Sequence, residues 1–304
     1  MEEKTKSKPK DVYSIVTDRI IALLEKGVAP WKQPWTNSGT PQNLITMRPY
    51  RGINTWLLAT LGYSQNYFLT AKQLKEHFNG SVKKGEKASL VVFWNWKDVT
   101  DEDSEETKQV PFLRYYMVFN VCQCEGIPVK KIPVATRMNN PIKICEDMIE
   151  AMPQKPKVQF KEQKAYYEPI RDYINMPKLK TFDTSEHYYE THFHELIHST
   201  GHPSRLNRKE LMEMAEFWGD NYSVEELIAE MGACYLKSIC GFTQGFEQNA
   251  SYLQGWLTRL RNDKHFVIYA AGKSQSAVDF ILNVKYEDNT DTEIQSEKLE
   301  SEFK

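Results

Sequence analysis

Apolar residues along this chain of 304 residues follow a helical spacing in some segments and a strand-like pattern in others. The positions where the pattern changes predict where helices and strands begin and end. After Asp11, apolar residues recur every three to four positions to about Lys26, which predicts an amphipathic helix that Gly27 ends. Short helices are predicted near residues 54–61 and 70–78. Residues 88–96 and 112–124 are rich in β-branched and aromatic side chains, so we predict strands there, flanking the acidic loop DVTDEDSEET.

The helical period dominates the second half of the chain. A helix is predicted over residues 142–151, and short strands follow in KVQF and KAYYEPIRDYINMP. The next helix contains EHYYETHFHELIHST, for which Asp183 and Glu186 are the expected capping box and Gly201 the C-terminal stop. Further helices are predicted from Ser223, near residues 249–260 and near residues 270–283.

These elements predict an α+β protein of two domains, which a chain of this length can accommodate. We expect an α+β domain at residues 11–125 and a mainly helical domain with a small sheet at residues 142–286. Residues 126–141 contain three prolines and no clear period, which predicts a linker between the domains. Residues 1–10 are expected to be a disordered lead-in and residues 287–304 a polar tail.

Composition indicates in which cellular compartment the protein acts and whether it contacts a membrane. No apolar run approaches the ~18 residues of a membrane span, so no membrane partner is expected. The start, MEEKTKSKPK, has no apolar core and does not resemble a secretory signal. Five cysteines without framework spacing favour a reducing compartment, and we predict a cytoplasmic protein.

Basic and aromatic residues are concentrated between Lys26 and Lys97. This window holds ten Lys or Arg against two Glu, and five of the seven tryptophans. Single-stranded nucleic acids are bound by cations along the phosphates and by aromatic faces under the bases, so the window favours such a ligand over a purely structural role. The predicted contacts are Trp31, Lys32, Trp35, Arg48, Tyr50, Arg51, Lys83, Lys84 and Lys87.

Candidate metal chemistry lies in THFHELIHSTGH, residues 191–202. His194 and His198 are about one helical turn apart, roughly 6 Å of rise, so their rings leave the same helix face and can bind one Zn²⁺ or similar divalent ion. Glu195 lies beside them as the candidate catalytic base. The pattern also occurs by chance, and the well-marked helix around it favours the metal site.

A zinc site of this kind needs a third protein ligand. His202 follows Gly201 and His187 lies roughly 10 Å up the helix from His194, so neither is favoured. Glu226 and Glu230 share one helix face downstream, and we favour Glu226 as ligand and Glu230 as the residue that orients a ligand, although the reverse assignment stays open. Glu226 could instead complete a capping box with Ser223.

At these residues the chain resembles a known family. HELIHSTGHPSRLNR followed by SVEELIAEMGA resembles the metallopeptidase-like domain of ArdC-type antirestriction proteins, which conjugative plasmids and transposons carry. VAPWKQPW, PYRGIN and VKKGEKASLVVFW resemble the N-terminal single-stranded-DNA-binding domain of the same proteins. The resemblance spans about residues 11–285, with Ser199 standing where tryptophan is common in the family. It implies a zincin-like domain and a DNA-binding domain.

Two functions follow as expectations. In the first, the protein binds single-stranded DNA and protects incoming mobile-element DNA from restriction. In the second, it is a DNA-localised zinc metalloprotease that cleaves a host protein, for instance one of the restriction system. An intact Glu195 permits the second function without demonstrating it.

Overall fold

The described elements follow the predicted order, with an α+β half before a mainly helical half. The structure, a computed structural model, describes residues 11–29, 40–100, 107–133, 141–216, 223–242 and 250–284. Its helices are α1 (Val12–Glu25), α2 (Ile53–Ala59), α3 (Ala71–Phe78), α4 (Pro141–Ala151), α5 (Ser185–Thr200), α6 (Lys209–Glu216), α7 (Val224–Ile239), α8 (Ala250–Asn262) and α9 (Phe266–Ile281). Its strands are β1 (Gln42–Asn43), β2 (Tyr67–Leu69), β3 (Ser81–Val82), β4 (Ser89–Thr100), β5 (Thr107–Asn120), β6 (Cys124–Glu125), β7 (Lys157–Gln159), β8 (Tyr166–Glu168) and β9 (Tyr173–Asn175). The predicted α+β class is confirmed.

Local sequence signals set the helix starts in the first half. The Asp11 side chain accepts a hydrogen bond from the backbone N–H of Ser14 and caps α1, and Gly27 follows the helix with a positive φ of 81°. Thr70 caps α3 in a full capping box with Gln73. Each cap satisfies backbone N–H groups that the first helical turn leaves without partners.

The larger sheet has the strand order β1-β2-β5-β4, and its main part is the antiparallel β4–β5 hairpin. The pairing continues from Ser89–Val118 to Thr100–Thr107. The strands therefore extend into the segment for which the sequence predicts an acidic loop. Helix α2 packs at the free edge of β4, where Asn54 accepts from the Val92 N–H at 2.7 Å and donates to the Val92 carbonyl at 2.6 Å.

The second half contains a small sheet of order β7-β9-β8 and a helical body. Two predictions need correction here. Helix α5 is capped by Thr184, which accepts from the His187 N–H, and not by Asp183. Helix α6, which the sequence analysis did not identify, lies between α5 and α7.

One apolar cluster joins the two halves. It contains Val16 of α1 and Trp56 of α2 together with Leu196 of α5 and Leu236 of α7. The Tyr235 hydroxyl donates to the Gly52 carbonyl at 2.7 Å, and its ring meets that of Trp56 at 4.7 Å between centroids. The halves thus share buried surface, while the exact domain bounds stay a prediction. Among the described residues, no helix is long and apolar enough to cross a membrane.

Candidate metal centre

Helix α5 brings His194 and His198 to one face, one turn apart, as the spacing predicts. Thr184 fixes its start, and Gly201 is its C-cap residue. Away from the histidines the helix is apolar and buried, with Phe193 and Leu196 in the shared core, while Ile197, also in that core, packs against α7. Burial of that side sets the rotation of the helix, so the two histidines face α7.

A glycine allows α7 to approach α5 closely. A Cβ atom added at Gly232 would lie 2.5 Å from Ile197 Cδ1 and 2.7 Å from Ile197 Cγ1, well inside van der Waals contact. The two helices therefore pack more closely here than any other residue type at position 232 would permit. This packing brings the first turn of α7, which Ser223 caps, next to His194 and His198.

The structure brings three of the predicted residues together. His194 Nε2 and His198 Nε2 are 3.1 Å apart, Glu226 Oε2 lies 3.4 Å from His194 Nε2, and Glu226 Oε1 lies 3.5 Å from His198 Nε2. Among the described residues, this is the one group of His, Cys, Asp or Glu whose atoms could hold a metal ion. Glu226 also receives the Ser223 cap through its backbone N–H, so capping and a ligand role coexist at this residue.

These separations fit one central ion. Two ligands of a tetrahedral zinc ion, each at about 2.0–2.1 Å, lie about 3.3–3.4 Å from one another. The separation of the two histidine nitrogens, 3.1 Å, lies close to that value. Glu226 approaches each histidine through a different oxygen, at 3.4 and 3.5 Å, and one ligand atom from each of the three residues lies within 4.8 Å of the others. A two-histidine, one-carboxylate set would leave a fourth position for water or substrate, as catalytic zinc sites do.

A carboxylate that the sequence analysis did not select orients His198. Glu225 Oε1 lies 3.1 Å from His198 Nδ1, the ring nitrogen on the side away from His194. Burial alone would lower the pKa of His198, but the hydrogen bonds that its ring donates to the Glu225 and Glu226 carboxylates raise it to about 10. A carboxylate at Nδ1 fixes the orientation of the ring and, in the neutral ring that a metal requires, keeps the proton on Nδ1, which leaves Nε2 as the atom that can bind a metal.

Arg208 in turn holds Glu225, which is fully buried. Its Nε donates to Glu225 Oε2 at 3.0 Å and its Nη2 to Glu225 Oε1 at 2.6 Å. Burial would raise the pKa of Glu225, but Arg208 and His198 hold it below its usual range. The guanidinium also donates to the Ile197 carbonyl and the Thr200 hydroxyl at the end of α5. Arg208 therefore ties the ligand-bearing ends of α5 and α7 together.

Gly201 makes room for this arginine. A Cβ atom there would lie 3.0 Å from Arg208 Nη2 and 3.1 Å from Leu211 Cβ. Gly201 ends α5 as predicted, but its φ of −74° is ordinary, so the close approach of Arg208 and Leu211, and not a left-handed turn, favours glycine here. His202 turns away from the ligands and bonds Ser204 through Nδ1 at 2.8 Å.

Glu195 is 8% exposed, and within the described part of the chain its carboxylate has no hydrogen-bond or ion-pair partner. A carboxylate beside the ligand set is thus available to accept a proton. Glu230 lies one turn after Glu226 on α7, and its role in orienting a ligand stays a prediction. Apart from its position next to Glu226, Glu225 carries no sequence signal that would have identified it as the partner of His198.

The predicted DNA contacts are dispersed in the structure. Trp31, Lys32 and Trp35 lie outside the described residues. The side chains at Arg48, Lys83, Lys84 and Lys87 are exposed. Lys83 Nζ donates to the Cys122 carbonyl at 2.8 Å, and Arg51, 41% exposed, forms an ion pair with Asp279 of α9.

Tyr50 lies inside the fold, in contrast to the expectation of a base contact. It is 8% exposed and packs edge-to-face on Phe68, at 6.2 Å between ring centroids. Burial raises the pKa of its hydroxyl to about 12. Its aromatic face is covered by the N-terminal half itself, so stacking on a base is not available to it in this conformation.

Comparison with known proteins assigns each half of the chain to a family. Residues 145–273 match the zincin-like metallopeptidase family, and residues 10–119 match the N-terminal domain of anti-restriction factor ArdC. The uncharacterized protein y4eC of Sinorhizobium fredii (strain NBRC 101917 / NGR234) is 30% identical over 299 residues, which cover 92% of this chain and 94% of that protein. Two DNA primases TraC of Escherichia coli are 29% identical over 90% of this chain, which spans only 20% and 27% of their lengths.

Solved structures are similar over almost the whole chain. The metal-free crystal structure of antirestriction protein ArdC from plasmid R388 has a TM-score of 0.72 at 37% identity, covering 90% of this chain and 97% of that one. The Mn(II)-bound structure of the R388 protein has a TM-score of 0.71 at 35% identity, covering 91% of this chain and 100% of that one. The chain therefore belongs to the ArdC-type antirestriction proteins, with a zincin-like metallopeptidase domain in its second half.

Proposed function

We propose that this protein binds single-stranded DNA through its N-terminal half and so protects incoming mobile-element DNA from restriction. The observation that carries this proposal is the charge of residues 40–96 within that half, which lie before the acidic segment 98–106. Residues 40–96 contain seven Lys or Arg against two Glu, although the whole chain has a formal charge of −2. A cationic surface of this kind attracts a phosphate backbone, and its attraction weakens with added salt.

Arg48, Lys84 and Lys87 are the favoured phosphate contacts because their side chains are exposed. Lys83 has a structural bond to a backbone carbonyl in addition, so it contributes through its remaining donors. Trp31, Lys32 and Trp35 remain proposed contacts from the sequence. Log K should fall linearly with log salt, with a slope of about −0.7 for each phosphate neutralised on a single strand. Lys84→Ala with Lys87→Ala should flatten this slope.

We further propose that His194, His198 and Glu226 hold a divalent ion, Zn²⁺ or a similar metal. The spacing of their atoms supports this assignment, as does the Mn(II) ion of the R388 relative. Glu225 and Arg208 support the site from behind by fixing the His198 ring. Elemental analysis should find close to one ion per chain, and His194→Ala with His198→Ala should lose it.

A second function, a metalloprotease localised by DNA, is favoured by one observation, the unpartnered carboxylate of Glu195 beside an intact ligand set within the described part of the chain. A bound divalent ion would polarise a carbonyl group and lower the pKa of a water molecule. Glu195 would then accept the proton of the water that attacks a peptide carbonyl. A host restriction-system protein would be the substrate class in this case.

Contacts between the halves would hold the DNA at a fixed position relative to the metal centre. Tyr235 of α7, the helix that carries Glu226, donates to the carbonyl of Gly52, and the adjacent Arg51 pairs with Asp279 of α9. The backbone N–H of Gly52 donates to Gln275 of α9 at 3.2 Å. The PYRGIN segment is thus anchored on the zincin-like half, which supports a joint role for the two.

The two functions are distinguished by Glu195→Ala in the full chain, with Glu186→Ala on the same helix as the control. Transfer of unmodified DNA into restricting and non-restricting recipients measures protection. If binding alone protects, Glu195→Ala protects as well as Glu186→Ala. If protection is lost while metal content and DNA affinity stay the same, proteolysis is the mechanism. Absence of single-strand binding by the unaltered protein would overturn the primary proposal.

A further inference from the structure

The stem of the β4–β5 hairpin exposes large aromatic side chains on both faces. Trp94 and Trp96 of β4 are 55% and 57% exposed, and they lie on the same face of the strand, two residues apart. Phe93 on the opposite face is 38% exposed, and Tyr115 of β5 is 49% exposed. Side chains of this size normally contribute to a core, and a group of them on the surface indicates a binding site.

The fold explains why these residues are outside the core. Helix α2 covers the sheet near Val91 and Val92, which are buried, and Asn54 pairs with the β4 edge at Val92. Beyond that point the hairpin continues as a two-stranded ribbon, with Trp94 opposite Leu113 and Trp96 opposite Pro111. Only Tyr13 of α1 approaches Trp94 among the described ring contacts, at 6.3 Å between centroids.

We propose that this stem, residues 93–96 with 112–117, is a stacking surface for the bases of single-stranded DNA. The inference rests on the proposed DNA binding and assigns it a location that the sequence analysis did not select. Aromatic faces bind bases without sequence preference, because every base presents a π-face. The proposal adds Trp94 and Trp96 to the proposed contacts.

Charge favours a nucleic acid as the occupant. Residues 40–96 and 107–133 together contain eleven Lys or Arg against three Glu. Arg114 pairs with Phe93 across the hairpin, so it lies on the Phe93 face of the ribbon, opposite to Trp94 and Trp96. Its side chain is exposed, and its guanidinium lies 5.3 Å from the centre of the Phe112 ring. A guanidinium beside aromatic rings provides both a stacking plane and a phosphate partner.

Charge also limits the extent of the surface. Residues 98–106, DVTDEDSEE, contain six carboxylates and follow the stem in sequence. Phosphates would be repelled there, so the bound strand would run from the stem toward the start of β4, which Lys84 and Lys87 precede. The bases would contact the aromatic side chains, and the lysines would contact phosphates.

The test uses the full chain with Trp94→Ala and Trp96→Ala combined, a fluorescently labelled oligo-dT, and anisotropy at several salt concentrations. Phe160→Ala is the matched control, because Phe160 is an exposed aromatic residue (49%) of the zincin-like half. We expect affinity to fall about 5- to 150-fold for each base that no longer stacks on an indole ring, with an unchanged salt slope. Trp94→Phe with Trp96→Phe, which keeps aromatic rings, should weaken binding less.

The outcomes separate this proposal from the proposed function. If the unaltered protein binds and the double alanine variant binds as well as Phe160→Ala, the stem is not the stacking surface although DNA binding stands. If the unaltered protein does not bind oligo-dT, both proposals fail. If light scattering shows that the alanine variant turns a dimer into a monomer without loss of DNA affinity, the stem is a contact between copies. Thermal melting identifies an affinity loss that is due to unfolding. In that case Trp94→Leu with Trp96→Leu decides, because it keeps apolar side chains of some size but no aromatic face: weakened binding by the folded leucine variant supports stacking, and unchanged binding contradicts it.

Discussion

Gly232→Ala should separate α5 from α7 and weaken the metal centre. The added Cβ atom would lie 2.5 Å from Ile197 Cδ1, 2.7 Å from Cγ1 and 3.1 Å from Cγ2. Carbon atoms prefer about 3.5–4.0 Å, so roughly 1 Å of separation has to be supplied by the Ile197 side chain or by the helices. Overpacking of this kind costs ~1–3 kcal/mol of unfolding free energy.

Helix propensity acts in the opposite direction, because alanine is better than glycine inside a helix by ~0.8–1 kcal/mol. The expected net change for Gly232→Ala is therefore ~0–2 kcal/mol of destabilisation. Gly272→Ala in α9 is the matched control, since nothing lies within 4 Å of its added Cβ atom. That variant should gain ~0.5–1 kcal/mol, so the two alanine substitutions should differ by ~1–3 kcal/mol.

The metal affinity of the two variants tests whether the packing at Gly232 sets the spacing of the candidate ligands. Ile197 directly precedes His198, and Gly232 lies on the helix that carries Glu226, so a displacement of either helix changes the ligand spacing. Metal sites tolerate distance errors of about 0.2 Å, and we expect weaker metal binding in Gly232→Ala but not in Gly272→Ala. Equal melting temperatures and equal metal affinities for the two variants would refute this account.

A double variant locates the clash. Ile197→Ala removes all three atoms that the added Cβ would meet, at a cost of ~2–5 kcal/mol for the lost core packing. In that background, Gly232→Ala should become stabilising, as Gly272→Ala is in the unaltered protein. Additive effects would show that Ile197 is not the residue that Gly232 accommodates.

Further predictions concern the groups around the site. Glu226→Gln should lose metal in elemental analysis, whereas Glu230→Gln should weaken it by ~10–100-fold if Glu230 orients a ligand, and the reverse ranking would exchange their roles. Arg208→Met leaves the buried Glu225 without its cation and should destabilise the fold by ~3–5 kcal/mol in denaturant unfolding, while a neutral result would mean that water replaces the guanidinium. The pKa of Asp172 is held below its usual value, since Arg205 and Tyr167 outweigh its burial. Its ion pair with Arg205 therefore stabilises the protein above about pH 4 and is lost as the pH falls through the folded pKa, so Asp172→Asn should lower stability at pH 7 and reduce its acid dependence, and parallel pH curves would contradict this.

Much of the metal centre follows from local sequence. His194 and His198 are one turn apart in any α-helix. The sequence predicts that helix because no Gly or Pro occurs between Ser185 and Thr200. Glu226 could be selected because the cap at Ser223 fixes where α7 starts. Glu225 could not be assigned in this way. Neighbouring helix residues point about 100° apart, and the rotation of α7 that directs one carboxylate to His198 Nδ1 and the other to Nε2 comes from its packing on α5.

The sequence by itself determined most of the order of elements, the α+β class, the candidate metal ligands on α5 and the basic window between Lys26 and Lys97, because periodicity, capping and charge are properties of neighbouring residues. Tertiary structure decided which aromatic residues are exposed. Trp56 is buried against Tyr235, Tyr50 packs on Phe68, and Trp94 and Trp96 lie on a ribbon that extends beyond the cover of α2. The amino-acid composition does not distinguish a buried aromatic side chain from an exposed one. Their exposure depends on contacts between residues far apart in sequence, such as Trp56 with Tyr235, which no local pattern records.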